Sequence, residues 1–233
     1  MGHTIEIETP DGKFSAYRAT PALEGRWPAV VVIQEIFGVN AVMRGVCDDL
    51  AAKGFLAICP DLFWRLEPGV ELTDQSQGDW KKAFDLMNRF SADTGVTDIQ
   101  HTLDHARRDK RCNTHVGAVG YCLGGLLAFL TACRTDVDAA VGYYGVNIAA
   151  HADEARAIRS PLMLHIAGKD QFVDAEAQAR MHAALDPLPA VTLHDYPGQD
   201  HAFARIGGEH YDEAAAATAN ARTLQFLSSH LKG

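Results

Sequence analysis

Short apolar runs alternate along the chain with longer stretches in which apolar residues recur every third or fourth position. Ile5-Glu6-Ile7-Glu8 alternates with period two, as a strand with one wet face does. Pro10-Asp11-Gly12 is a turn signal, so Lys13 to Ala19 is the expected return strand. Ala29 to Ile33 is a compact Val-rich run, the pattern of a strand buried on both faces. Ala41 to Lys53 carries apolar residues at helical spacing and Gly54 closes it. Phe55 to Cys59 is a second buried strand, stopped by Pro60. Asp61 to Gly78 holds Pro, Gly and polar residues and reads as a long surface loop of the kind that covers sites.

Helical patterns follow at Asp79 to Phe90 and Val96 to Asp109. The alternation then resumes. Strands are predicted at His115 to Val119, Ala139 to Tyr144, Pro161 to Ala167 and Val191 to Tyr196. Helices are predicted at Leu123 to Cys133, Ala175 to Leu185 and Tyr211 to Leu231. This order predicts an α/β fold, a mostly parallel sheet with helices on both faces. Ligands bind such sheets at the carboxyl ends of the strands, so the loops after strands are the places to look for chemistry.

No repeat or linker divides the pattern, and 233 residues fit one domain spanning the chain. The formal net charge is −9, which argues against a nucleic-acid or anionic-membrane partner. Val116 to Cys133 is the one long uncharged stretch. Its crowded glycines favour a strand turning into a helix over a membrane span. Met1 to Pro10 has no signal-peptide core, and Glu6 stands where a myristoylation signal needs Ser or Thr. The five cysteines include no CxxC pair and one is always left over, which points to a reducing, cytoplasmic setting rather than a disulfide framework or a metal site.

Gly120-Tyr121-Cys122-Leu123-Gly124-Gly125 follows a buried strand and opens a helix. That is the setting of a G-x-S-x-G nucleophile elbow with Cys in place of Ser. A nucleophile in so tight a turn needs very small neighbours two positions away, and Gly120 and Gly124 stand there. The order is wrong for a dinucleotide loop, which needs G-x-G-x-x-G. A free cysteine is ordinarily a core residue, and that reading suits Cys47, Cys59, Cys112 and Cys133, which lack such a turn.

The fold predicts an acid and then a histidine further along the chain. Gly168-Lys169-Asp170 follows one strand, and Pro197-Gly198-Gln199-Asp200-His201 follows the next. Asp170 would orient the imidazole of His201, which would exchange protons with the sulfur and the leaving group. A turn-capping role for Asp170 and a solvated loop role for His201 are the plainer readings. Asp174, Asp195 and Asp200 are weaker acid candidates. His165 and His194 fall within strands, and His101 and His105 on a helix face, where structural roles are expected. Gln34-Glu35-Ile36-Phe37-Gly38 follows the first buried strand. Its Ile36 N–H and the Leu123 N–H are the expected oxyanion-hole donors. Glu35 is either a structural acid or a proton acceptor for the thiol.

With these residues in place the chain resembles the dienelactone hydrolase (carboxymethylenebutenolidase) family of the α/β-hydrolase fold. The resemblance runs nearly end to end, through Gln34 to Gly38, Pro60-Asp61-Leu62, Gly120 to Gly125, Gly142-Tyr143-Tyr144-Gly145, Ala167 to Asp170, and Tyr196 to Phe203 with Arg205. It implies a Cys122, Asp170 and His201 triad, with Glu35 receiving the thiol proton when substrate enters. It implies no cofactor, a monomer, and hydrolysis of a small anionic dienelactone to maleylacetate through a thioester, in aromatic or chloroaromatic breakdown. Arg205 is then the expected partner of the substrate carboxylate, with Tyr144 and Phe37 in the pocket wall. The chain departs from the family where a second substrate arginine and a tyrosine are expected. Trp80, Lys81, Lys82 and Phe84 stand there, leaving Lys81 or Lys82 as the candidate cation. Ala202 follows the histidine where a hydroxyl residue is common. The alternatives are another ester or thioester as substrate, or a non-catalytic binder of aromatic acids.

Overall fold

The computed structural model describes residues 2–232. β1 (His3–Thr9) and β2 (Gly12–Ala19) form an antiparallel hairpin that sets Ile7 opposite Phe14, both buried. β3 (Trp27–Ile33), β4 (Leu56–Pro60), β5 (Cys112–Tyr121), β6 (Ala139–Tyr143), β7 (Leu162–Ala167) and β8 (Val191–Tyr196) follow. The sheet order is β1-β2-β4-β3-β5-β6-β7-β8. β2 joins β4 antiparallel, and every pairing from β4 to β8 is parallel. The Val-rich run behaves as its composition requires: Ala29 to Ile33 have no exposed surface, because helices cover both faces.

Among the described residues, six helices surround the sheet: α1 (Ala41–Ala52), α2 (Gln77–Arg89), α3 (Ala92–Arg108), α4 (Leu123–Arg134), α5 (Ala175–Leu185) and α6 (Glu213–Leu231). α3, α4 and α5 lie on one face, linked by a 3-10 segment, Ile148–Ala157. α1 packs on β2, β3 and β4, and α6 on β5, β6 and β7, across the sheet. Side-chain caps fix the helix starts. Asn40 Oδ1 accepts from Met43 N–H at 3.1 Å, and Ser76 Oγ from Asp79 N–H at 3.0 Å.

α2 and α3 begin earlier than apolar spacing predicts, at Gln77 and Ala92, because Ser76 and Ser91 cap them. α6 begins two residues later than predicted, behind its cap Asp212. The 3-10 segment was not expected; it starts beyond Asn147, whose φ is +58°. Val116 to Cys133 divides between β5 and α4, and no helix among the described residues is long and apolar enough to cross a membrane.

Candidate active site

Cys122 stands between the central strand β5 and helix α4, with φ +58° and ψ −116°. A non-glycine residue there stores strain of order 1–3 kcal/mol, held by the surrounding packing. The turn explains its own glycines. A Cβ on Gly120 would fall 1.9 Å from the Gly124 carbonyl oxygen, and one on Gly124 2.4 Å from that of Ile33. The elbow therefore lies flush against both its own helix and β3. The Cys122 carbonyl accepts from Gly125 N–H at 2.9 Å, so the thiol sits at the amino end of α4, where the helix dipole favours negative charge.

Asp170 follows β7 and His201 follows β8, at the same sheet edge as Cys122. His201 Nδ1–H donates to Asp170 Oδ2 at 2.8 Å, and both side chains are buried. Asp170 Oδ1 accepts from Phe172 N–H at 2.9 Å, which fixes the carboxylate. Asp200 Oδ1 accepts from the N–H groups of His201 (2.6 Å) and Gln171 (3.2 Å), tying the two loops together. Asp200 is thus a loop clamp, and Asp170 is the carboxylate on the imidazole. Among the described residues, His201 Nε2 has no protein hydrogen-bond partner. Burial opposes a charge on His201, but the Cys122 sulfur and Asp170 outweigh it and lift the imidazole to about 10.

Glu35, Ile36 and Phe37 follow β3. Gln34 shapes that loop, accepting from Leu62 N–H at 3.0 Å through Oε1. Among the described residues, neither the Ile36 nor the Leu123 N–H has a protein acceptor. Glu35 is held by Arg205, whose Nε–H and Nη2–H donate to its two oxygens at 2.8 and 3.0 Å. Nη1–H of Arg205 donates to Asp74 at 3.1 Å. One buried guanidinium thus serves two carboxylates. Burial works against its charge, but Glu35 prevails and holds it firmly protonated.

A pocket of about 140 Å³ over Cys122 is lined by Ile36, Trp80, Phe84, Met87, Phe172, His201 and Arg205, among others. It shares Trp80, Phe84, Phe172, His201 and Arg205 with an outer cleft of about 570 Å³. Glu35 and Tyr144 line neither space. They border a third, largely apolar cavity of about 370 Å³ against α1 and α6. Tyr144 packs its ring edge-to-face on His201 at 5.2 Å, so it backs the imidazole from behind. Phe37 is fully buried beneath Arg205, 5.0 Å from ring centre to guanidinium, and supports the pocket without lining it. Lys81 and Lys82 do not line the pocket, and Lys82 pairs with Glu67. Helix α2 offers Trp80 and Phe84 instead, because those two positions lie four apart on one helical face. Sequence reasoning did not find Phe172, Met87 or Asp74 as site residues, since nothing in their local pattern marks them.

The model of the dienelactone hydrolase family matches residues 14–231. The chain belongs to that family. It is 51% identical over 222 residues, 95% of each chain, to a protein of Azospirillum brasilense provisionally named a carboxymethylenebutenolidase. It is 39% identical to the carboxymethylenebutenolidase of Pseudomonas sp. strain P51, over 93% of this chain and 90% of that one. The crystal structure of a protein from Klebsiella pneumoniae, provisionally titled a dienelactone hydrolase, superposes with a TM-score of 0.85 at 28% identity, covering 98% of this chain and 99% of that one. Membership makes the chain a hydrolase of the lactone and ester class, on an α/β-hydrolase fold.

Proposed function

We propose that the protein opens a dienelactone to maleylacetate, with Cys122 as nucleophile and a thioester intermediate. The observation that carries this reading is the buried 2.8 Å bond between Asp170 and His201 beside a cysteine held on a strained elbow. The names of relatives 51% and 39% identical to the chain support the substrate class. In the first step the sulfur of Cys122, its proton held by His201, attacks the lactone carbonyl. The carbonyl electron pair moves onto oxygen, where the Ile36 and Leu123 N–H groups stabilise it. Collapse of that oxyanion breaks the ring C–O bond. The leaving enolate takes the proton from His201 and becomes the ketone by tautomerisation. A water molecule then gives a proton to His201 and attacks the thioester, and the C–S bond breaks to return the sulfur. Ring opening adds a second carboxylate to the product, which Glu35 and Asp74 repel.

Loss of the ultraviolet band of the cis or trans lactone tests this reading. Wild-type protein should consume it and Cys122→Ala should not; equal rates for the two would end the proposal. The sharing of Arg205 by two carboxylates favours a second proton route. A substrate carboxylate that takes over Arg205 releases Glu35, which can then receive the thiol proton. On that route Glu35→Gln slows only carboxylate-bearing substrates. Equal slowing of neutral esters would remove Glu35 from the proton path.

A further inference from the structure

We propose that Trp80, Phe84 and Phe172 form a subsite for an uncharged planar group. The preferred ester or lactone then carries one carboxylate, at Arg205, and an apolar ring or ring substituent at its other end. The reaction itself rests on the function proposed above; the subsite rests on the following geometry. Phe37 meets Trp80 edge-on at 5.0 Å, Trp80 stacks on Phe84 at 5.5 Å and 28°, and Phe84 lies 6.4 Å from Phe172. Phe172 in turn meets His201 edge-on at 4.8 Å. An aromatic wall thus runs unbroken from beneath Arg205 to the imidazole.

Phe84 is 38% exposed and Phe172 44%, and they are two of the five exposed large apolar side chains among the described residues. Scattered apolar residues need no explanation, but two neighbours at the mouth of a reactive pocket leave apolar surface for a ligand to cover. The wall offers no polar handle. The Trp80 indole N–H is already spent on the Asp74 carbonyl oxygen at 3.0 Å, and neither phenylalanine has one.

Charge at the site points the same way. Arg205 and His201 are the cationic candidates lining the pocket over Cys122, and His201 is committed to Asp170. The outer cleft adds Asp74, Glu209 and His210. A second carboxylate on the substrate would face Asp74 and Glu209 with no free arginine to meet it. A planar apolar group would instead gain aromatic contacts there. Room is available, since the outer cleft of about 570 Å³ lies within the range of ligand pockets, whereas the space over Cys122 alone does not.

The test is calorimetric titration with two ligands that the enzyme cannot hydrolyse, cinnamate (one carboxylate, one phenyl ring) and fumarate (two carboxylates). Cinnamate should bind roughly tenfold more tightly than fumarate. Phe84→Ala should remove most of that advantage while leaving fumarate unchanged, and Trp80→Arg should reverse the order. Phe84 is exposed at the rim and Trp80 is half-buried, and thermal melts would verify that the variants fold. Equal binding of the two ligands by wild type, or equal weakening of both by Phe84→Ala, would overturn the subsite. Hydrolysis of phenyl-substituted and unsubstituted dienelactones is measured alongside. Failure to turn over either lactone would count against the catalytic reading, while the titrations decide the subsite on their own.

Discussion

Replacing Arg205 by Met should destabilise the protein well beyond the usual effect of one substitution. The side chain is buried, its bidentate partner Glu35 is more so, and the two bonds are 2.8 and 3.0 Å long. Met fills similar volume but leaves Glu35 as a buried charge without a counterion, and Asp74 loses its bond as well. Breaking a buried pair in this way costs about 3–5 kcal/mol. For a chain of this size that corresponds to a fall in Tm on the order of 6–20 °C. Glu35→Gln with Arg205→Met removes both charges, so the double variant should recover much of the loss. Urea denaturation of the four proteins at neutral pH reads the effect. A loss under about 1 kcal/mol for Arg205→Met, or a double variant as unstable as the two singles summed, would refute the pairing argument.

Three further outcomes are expected. Gly120→Ala should disrupt the elbow and cost a few kcal/mol, because its Cβ would meet a backbone oxygen at 1.9 Å. Gly45→Ala in α1 has nothing within 4 Å of the added Cβ and should stabilise by up to about 1 kcal/mol; thermal melts showing similar changes for the two would contradict the steric reading. His201 is lifted from its ordinary value to about 10, against burial, by Cys122 and Asp170. Its stabilising contribution is therefore complete below about 6.5 and lost as pH rises through about 10. Imidazole NMR should follow that titration in wild type and find it shifted down in Cys122→Ala; an unchanged midpoint would separate the two side chains. His165 is pushed down to about 3, by burial first and then by the charges of His194 and Arg222. Its folded value lies below the unfolded one, so stability is complete above about 6.5 and declines as pH falls toward 3. His165→Gln should flatten that acid slope in urea titrations, and an unaltered slope would show that other groups set it.

Residues that act through local spacing could be read from the sequence. Gly120 and Gly124 mark the elbow because the turn brings each against a backbone oxygen. Asp170 and His201 follow strands that their apolar runs already announce. Helix starts were less legible where the first turn is poor in apolar side chains. α3 opens with Ala92-Asp93-Thr94-Gly95, and Gly95 is small because Phe90 lies against it, 2.5 Å from an added Cβ. The 3-10 segment carries only two buried residues, Ile148 and Ala155, too few for a period. Long-range pairing was not legible at all. Arg205 meets Glu35 from 170 positions away and Asp74 from 131, and no spacing rule connects them. The sequence did expose the absent second arginine. Only the packing reveals that Lys81 and Lys82 do not line the pocket.

Electroneutrality connects these features. Arg205 with Glu35 and Asp74 carries one positive and two negative charges, so the cluster is already anionic before any substrate arrives. The chain as a whole carries −9 and supplies no attractive field for an anion. On the reading proposed here, a substrate carboxylate must therefore take the guanidinium from a resident carboxylate rather than add to it. The displaced group stays buried, and a buried carboxylate without its counterion is a strong proton acceptor. On that reading the proton it takes is the one that Cys122 must lose. Anion binding and thiol ionisation then become one linked event. A neutral ester cannot trigger it, however well its rings fit the Trp80, Phe84 and Phe172 wall. Such an ester depends on His201 alone for the proton. Substrates bearing both a carboxylate and an apolar ring would use both devices, so the two features should raise kcat/KM through separable residues.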